Sequence, residues 1–191
     1  VVTVNNVAPT VVGFTGLGEL ENGTVTVSGS ITDPGVDDTF TVEINWGGSE
    51  GTSAAIVSGN TFTAEHQYLD DNGSGTPSDV YSVTATATDD DLGVSVPASV
   101  GIEITNVAPV IASLTGNNDA GSVSVVITDV GTQDTHSVLI EWGDGTSETV
   151  VPTLDVASAA HLFPQFGTYG VRVTVSDDDT GSVVNNVELV I

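Results

Sequence analysis

Lysine is absent from this sequence of 191 residues, and Arg172 is the one basic side chain against 26 acidic ones. The formal charge is −25. Nucleic acid is therefore excluded as a partner, because holding a phosphate backbone requires cationic side chains. An anionic membrane surface is excluded for the same reason. Cysteine is also absent, which removes disulfides and thiolate chemistry without fixing the compartment. No apolar run is long enough to span a bilayer, so membrane insertion is not expected. No secretory leader is visible and the chain opens on Val1, which reads as a piece of something larger.

The catalytic signatures are missing as well. There is no Gly-x-Ser-x-Gly, no glycine-rich phosphate loop and no His-Glu-x-x-His. Paired carboxylates can cleave glycosides only in a cleft lined with aromatics, and aromatics are 5% of this chain. No enzymatic activity is expected.

What is abundant is Thr, Ser, Val, Gly and Asp, a strand-and-turn composition. His136, Val138, Ile140 and Trp142 alternate with Ser137 and Glu141, the period of two of a half-buried strand. Gly143-Asp144-Gly145 then supplies a tight reversal, and Ser147 to Val151 is the returning strand. The pattern occurs twice. Phe40, Val42, Ile44 and Trp46 alternate with Thr41, Glu43 and Asn45, followed by Gly47-Gly48 without the aspartate.

Other features repeat in step. Asn6-Val7-Ala8-Pro9 returns as Asn106-Val107-Ala108-Pro109, His66 as His161, and Tyr81 as Tyr169. The spacing changes only between strands, where insertions belong. The largest change is Leu69 to Pro77, an extra loop in the first copy. We therefore expect an all-β chain of two tandem immunoglobulin-like antiparallel sandwiches, each of about seven short strands. The modules are expected at 7–106 and 107–191, with 1–6 the end of a preceding repeat or linker.

The tryptophan strand and its Gly-Asp-Gly turn resemble the core signature of the polycystic-kidney-disease (PKD) domain, an immunoglobulin-like module of extracellular proteins. Ile140 and Ile44 stand where that family usually has a first tryptophan, and Trp142 and Trp46 where it often has phenylalanine. The resemblance is to a divergent branch, and it implies tandem repeats of a bacterial or archaeal extracellular or cell-surface protein. His66-Gln67-Tyr68 and Gly167-Thr168-Tyr169 also match what such modules carry near their penultimate strand. The tyrosine reads as structural, with its ring in the core and its hydroxyl tied to backbone. The three histidines read as structural too, since no spacing supports zinc.

The acidic loops are the candidate site. In a sandwich of this topology Asn6, Asp33, Asp37, Asp38, Asp89, Asp90 and Asp91 gather at one pole. Asn106, Asp129, Asp134, Asp177, Asp178 and Asp179 do so in the second module, at its joint with the first, with Asp70 or Asp71 in reach. Carboxylates clustered without cations repel one another, and calcium, which takes six to eight oxygen ligands, would neutralise them. Some bacterial PKD-like modules bind calcium near this pole, so the resemblance implies the same ion. The plainer alternative is that Asp, Gly and Asn are simply good turn residues.

The functional expectation is a non-catalytic, calcium-stabilised spacer and adhesion segment. Its partners would be the neighbouring repeats of its own chain and a cell-surface, polysaccharide or protein ligand. Two alternatives stand beside it. One is an accessory polysaccharide- or protein-binding module of a secreted hydrolase. The other is a halophilic surface-layer segment whose acidity answers salt.

Overall fold

The computed structural model describes residues 5–71 and 74–191, so the strand end expected over Val1–Val4 lies outside it. The described residues are strands and turns. They form two compact units, one made of the chain up to Tyr68 with Ser78–Thr105, the other of Leu69–Pro77 with Asn106–Ile191. Leu69–Pro77 thus join two strands of the first unit in sequence but group with the second.

In the first unit the strands are β1 (Thr10–Gly16), β2 (Glu19–Leu20), β3 (Thr24–Thr32), β4 (Phe40–Asn45), β5 (Thr52–Ala54), β6 (Ile56–Ser58), β7 (Thr61–Gln67), β8 (Ser78–Asp89) and β9 (Ala98–Thr105). One sheet has the order β1-β3-β7-β6, the other β2-β9-β8-β4-β5. All pairings are antiparallel except that of β2 with β9.

The second unit repeats the plan with β10 (Val110–Asn117), β11 (Ser122–Thr128), β12 (Ser137–Glu141), β13 (Ser147–Val150), β14 (Val156–Ala160), β15 (Thr168–Ser176) and β16 (Ser182–Val190). Its sheets run β10-β11-β14 and β13-β12-β15-β16. Chain segments that pass from β3 to β4 and from β11 to β12 cross between sheets, as an immunoglobulin-like sandwich requires.

Alternation sets which residues face inward. Val25, Val27 and Ile31 on β3 meet Val42 and Ile44 on β4 and Val83, Ala85 and Ala87 on β8 in one closed core. Val123, Val125 and Ile127 meet Val138, Ile140, Val171, Val173 and Val175 in the other. Burying such a Val or Ile side chain contributes about 1.5–3 kcal/mol. Each core is capped by its tryptophan, Trp46 and Trp142 being 1% exposed. Both turns after the tryptophan need a left-handed backbone, with φ of 85° at Gly47 and 81° at Gly143.

Candidate metal centres

Ladder register brings the acidic loops together. Thr10 pairs with Thr32 and Phe40 with Asp89, so residues 5–9, 33–39 and 89–93 share one end of the first unit. Val110 pairs with Thr128 and Ser137 with Ser176, which does the same for 106–109, 129–136 and 177–181 in the second.

In the first unit Asp89 is buried, at 3% exposure. Its two oxygens accept hydrogen bonds from the Asn6 side-chain amide at 3.1 and 3.0 Å, and the Gly93 amide adds one at 2.7 Å. A Cβ on Gly93 would press on the Asp89 carboxylate and lie 2.9 Å from Ala8 Cα. This explains the Asn-Val-Ala-Pro junction: Asn6 holds the aspartate and Ala8 rests on the glycine. Asp33 accepts the Gly35 amide at 2.7 Å through Oδ1, while its Oδ2 is buried with no hydrogen bond. The Asp38 carboxylate lies against Gly35 where a Cβ would stand. Asp33, Asp38 and Asp89 each offer an oxygen, all within 4.8 Å of one another. Desolvation raises the Asp38 pKa, and the charges of Asp33, Asp90, Asp89 and Asp91 push it the same way. An open cleft of about 520 Å³ lies here, lined in part by Asn6, Asp33, Asp38 and Asp91. Asp37, Asp90 and Asp91 are exposed and stand outside the three-carboxylate group. Asp90 instead accepts the Thr39 amide at 3.0 Å.

The second unit uses equivalent positions differently. Asn106 again donates to the first aspartate of the triplet, Asp177, at 3.0 Å, and Gly181 again lies against that carboxylate and Ala108. Asp178 is exposed and accepts the Thr135 amide at 2.8 Å, as Asp90 does in the first. Asp129 departs from its counterpart Asp33. His136 stands where the first unit has Phe40, and its Nε2 is 2.9 Å from Asp129 Oδ2 with both side chains buried. The third aspartate departs as well. Asp179 is 1% exposed, and its Oδ1 accepts the Gly75 amide at 2.9 Å. Inside this unit the carboxylates that meet within 4.8 Å are Asp70, Asp134 and Asp179. Of the two loop residues expected to be in reach, Asp70 belongs to this set, and the Asp71 side chain lies within hydrogen-bonding reach of Asp179.

Burial lifts the Asp134 pKa to about 7, reinforced by Asp129, Asp70, Asp178 and Asp177. Burial also raises that of Asp179, against the lowering effect of its hydrogen bonds with Gly75 and Asp71. Both oxygens of Asp134 and Oδ2 of Asp179 are buried without a hydrogen bond. Buried anionic oxygens of this kind suit a cation, and an all-oxygen set suits a hard divalent ion such as calcium. Zinc is a poor match, because each histidine is already engaged: His66 with Glu50, His136 with Asp129 and His161 with Asp144. The repeated spacing Asp-x-Gly-x-x-Asp, at 33, 35 and 38 and at 129, 131 and 134, is the sequence signal for the inward-lying second aspartate.

Residues 106–191 match the family model of the PKD domain. That stretch, which includes β12 and the Gly143-Asp144-Gly145 turn, is similar to a PKD domain. The first unit repeats the plan of the second in tandem. Among solved structures the chain is similar to the chicken interferon gamma receptor alpha chain, at 13% identity over 98% of this chain and 100% of that one, TM-score 0.44. It is also similar to the fibronectin(III)-like modules of Clostridium thermocellum CbhA, at 14% identity over 96% and 93%, TM-score 0.35. The D00-D0 domain of intimin is a third, at 16% identity over 96% and 100%, TM-score 0.31. No curated protein matches this sequence.

Proposed function

We propose that this chain is a non-catalytic spacer and adhesion segment of a large extracellular or cell-surface protein, and that calcium stabilises each of its sandwiches. The observation that carries this reading is the recurrence, in both units, of three carboxylates meeting within 4.8 Å at the same pole of a PKD-like sandwich. The only residue of fixed positive charge, Arg172, pairs with Glu141 at 2.6 Å on an exposed sheet face, so it offsets neither cluster. The neutralising charge must come from solution. Each cluster would hold the ion through aspartate oxygens, Asp33, Asp38 and Asp89 in one and Asp134 and Asp179 in the other. The bound ion would stiffen the loops that close the pole, and its role is mechanical.

The polysaccharide-binding alternative is weaker. Sugar-binding modules of hydrolases present an aromatic platform, and here both tryptophans are buried while Phe166 is the one largely exposed aromatic ring. The halophile alternative is separated by experiment. Extracellular modules bind calcium with dissociation constants on the order of 0.1–1 mM. At about 1 mM free calcium this adds roughly 0.4–1.4 kcal/mol per site by mass action. Calcium at 1 mM should therefore raise the melting temperature more than sodium chloride of equal ionic strength, whose screening is weak at that level. Full stabilisation by molar sodium chloride, with no heat of calcium binding in a titration, would decide for the halophile.

A further inference from the structure

We propose that the outer edge of β14 (Val156–Ala160) docks an extended segment of a partner protein, uncharged at its centre and basic at its ends, which joins the sheet as a further strand. In the first unit the same edge is covered by the chain itself. There β6 pairs with β7, Ile56 lying opposite Thr63 and Ser58 opposite Thr61. In the second unit the sheet ends at β14. The two stretches nevertheless correspond without a gap. Counted back from His66 and His161, Ser58 matches Thr153, Val57 matches Pro152 and Ile56 matches Val151. The backbone agrees, since the Asn60 carbonyl accepts the Ile31 amide at 2.8 Å and the Asp155 carbonyl the Ile127 amide at 2.9 Å. In the second unit the pairing stops at the bridge of Thr153 with Val156. Next to that bridge stands Pro152, whose ring fixes φ, and Val151 beyond it is 76% exposed.

The phase of the ladder says which backbone groups are open. The His161 amide donates to the Gly121 carbonyl at 2.8 Å, at the opposite end of β14 from Asp155, so residues 155, 157, 159 and 161 turn their backbone groups toward β11. By alternation Val156, Ser158 and Ala160 turn theirs away from it. Val156 exchanges both bonds with Thr153, at 2.9 and 3.2 Å. Among the described residues no strand lies beyond Ser158 and Ala160. Exposed edges are ordinarily guarded by lysine, proline or an inward-pointing charge, and β14 has none of these. The side chains beside it are small. Ser158 and Ala160 line a shallow cleft of about 450 Å³ with Thr115, Ser122 and Ser124, which leaves room for the side chains of an added strand. Charge names the partner. β14 is neutral, but Asp155 precedes it with a side chain 65% exposed, and exposed Asp119 lies in the turn that Gly121 ties to the other end. A second copy brings its own charge of −25 and is repelled, whereas lysine or arginine at the ends of a strand is attracted. Main-chain hydrogen bonds then supply the affinity, as in other cases of strand addition.

The proposal does not depend on calcium, so the test uses the whole chain in a chelator. The probe is the capped peptide Lys-Thr-Ile-Val-Ser-Lys, titrated by calorimetry, with hydrogen exchange followed at Ser158 and Ala160. The peptide should bind and slow exchange at both amides. Glutamate in place of its lysines should weaken binding about 10-fold or more. N-methylation of all its amides leaves the charge unchanged and should abolish binding. Ser158→Pro removes an outward N–H that makes no ladder bond, a place where an edge strand tolerates proline, and should weaken binding about 10-fold with an unchanged circular dichroism spectrum. If that variant does not fold, exchange in the wild type decides. No binding at about 1 mM peptide would overturn the proposal. So would equal binding of the N-methylated peptide with exchange unaltered, which is attraction by charge alone. Dimers in sedimentation that Ser158→Pro dissociates would give the edge to a second copy and rule out the basic partner.

Discussion

The Trp142 indole and the His161 imidazole stack 5.0 Å apart, 14° from parallel. Trp46 and His66 repeat the arrangement at 4.9 Å and 18°. In each unit the histidine Nε2 then meets an acid, Asp144 at 2.7 Å in the second and Glu50 at 2.9 Å in the first. The aspartate of the Gly-Asp-Gly turn therefore fastens the turn to the stack. The first unit, which lacks that aspartate, uses a glutamate two residues further along its turn.

Trp142→Ala should lower the stability of the second unit by about 3–5 kcal/mol, the usual cost of truncating a buried tryptophan. Glu141→Gln, one residue away, loses only an exposed pair with Arg172 and should cost less than about 1 kcal/mol. Chemical denaturation followed by tryptophan-independent circular dichroism measures both. Equal midpoints would mean that the faces of β12 are misassigned.

The two tyrosine hydroxyls give a second contrast. Tyr68 is fully buried and donates to the Trp46 carbonyl at 2.8 Å. Tyr68→Phe leaves that carbonyl unsatisfied and should destabilise the first unit by about 1–3 kcal/mol. Tyr169 donates to the Gln165 carbonyl at an exposed site, so Tyr169→Phe should change the melting temperature little. Matching losses in the two variants would contradict the burial difference.

Gly181→Ala should be costly for a steric reason, since its Cβ would collide with the Asp177 carboxylate and come within 2.8 Å of Ala108 Cα. A penalty of about 1–3 kcal/mol is expected. Gly170→Ala has no heavy atom within 4 Å of the added carbon and should be near neutral. Thermal scans of the pair test whether the Asn-Val-Ala-Pro junction packs on the acidic loop. A harmless Gly181→Ala would show that it does not.

Acid should first stabilise the second unit when divalent cations are removed. Asp134 is lifted to about 7 in the folded state, above an unfolded value of about 3.9. Between those values the folded state holds more protons, so stability rises as pH falls from about 7 towards 4. Asp144 has the opposite sign. Hydrogen bonds from Thr146 and with His161 hold it at about 2, so its contribution is present above about 3.9 and lost as pH falls through about 2. Melting temperature against pH in a chelator should therefore climb and then drop, and Asp134→Asn should flatten the climb. A wild-type profile identical to that of Asp134→Asn would remove Asp134 from the account.

The fold was legible because strand burial leaves a period of two in the sequence. Val138, Ile140 and Trp142 alternate with polar neighbours, and all three are buried. The poles were legible as loops rich in Asp and Gly. Which aspartates turn inward was not, because partners outside the acidic runs themselves decide it. Asp129 is held by His136, and Asp179 by a Gly75 amide 104 residues away. Nothing within the Asp-Asp-Asp triplets distinguishes Asp91, which is exposed, from Asp179, which is buried. The tryptophan–histidine stacks were hidden likewise, since their members come from different sheets.

Arg172 sits near the middle of β15, in register with Glu141 of β12 on one side and Asn186 of β16 on the other. Because the chain has no lysine, the peptide bond after Arg172 is its one point of attack for trypsin-like proteases. A protease needs an extended, unpaired segment in its cleft, and this bond lies in a strand hydrogen-bonded along both edges. Cutting it requires the second sandwich to open, so digestion is governed by the population of the opened form and not by surface access. Trypsin thus becomes a single-site reporter of the opening of that sandwich, and the folded chain withstands this class of protease without disulfides or any covering domain.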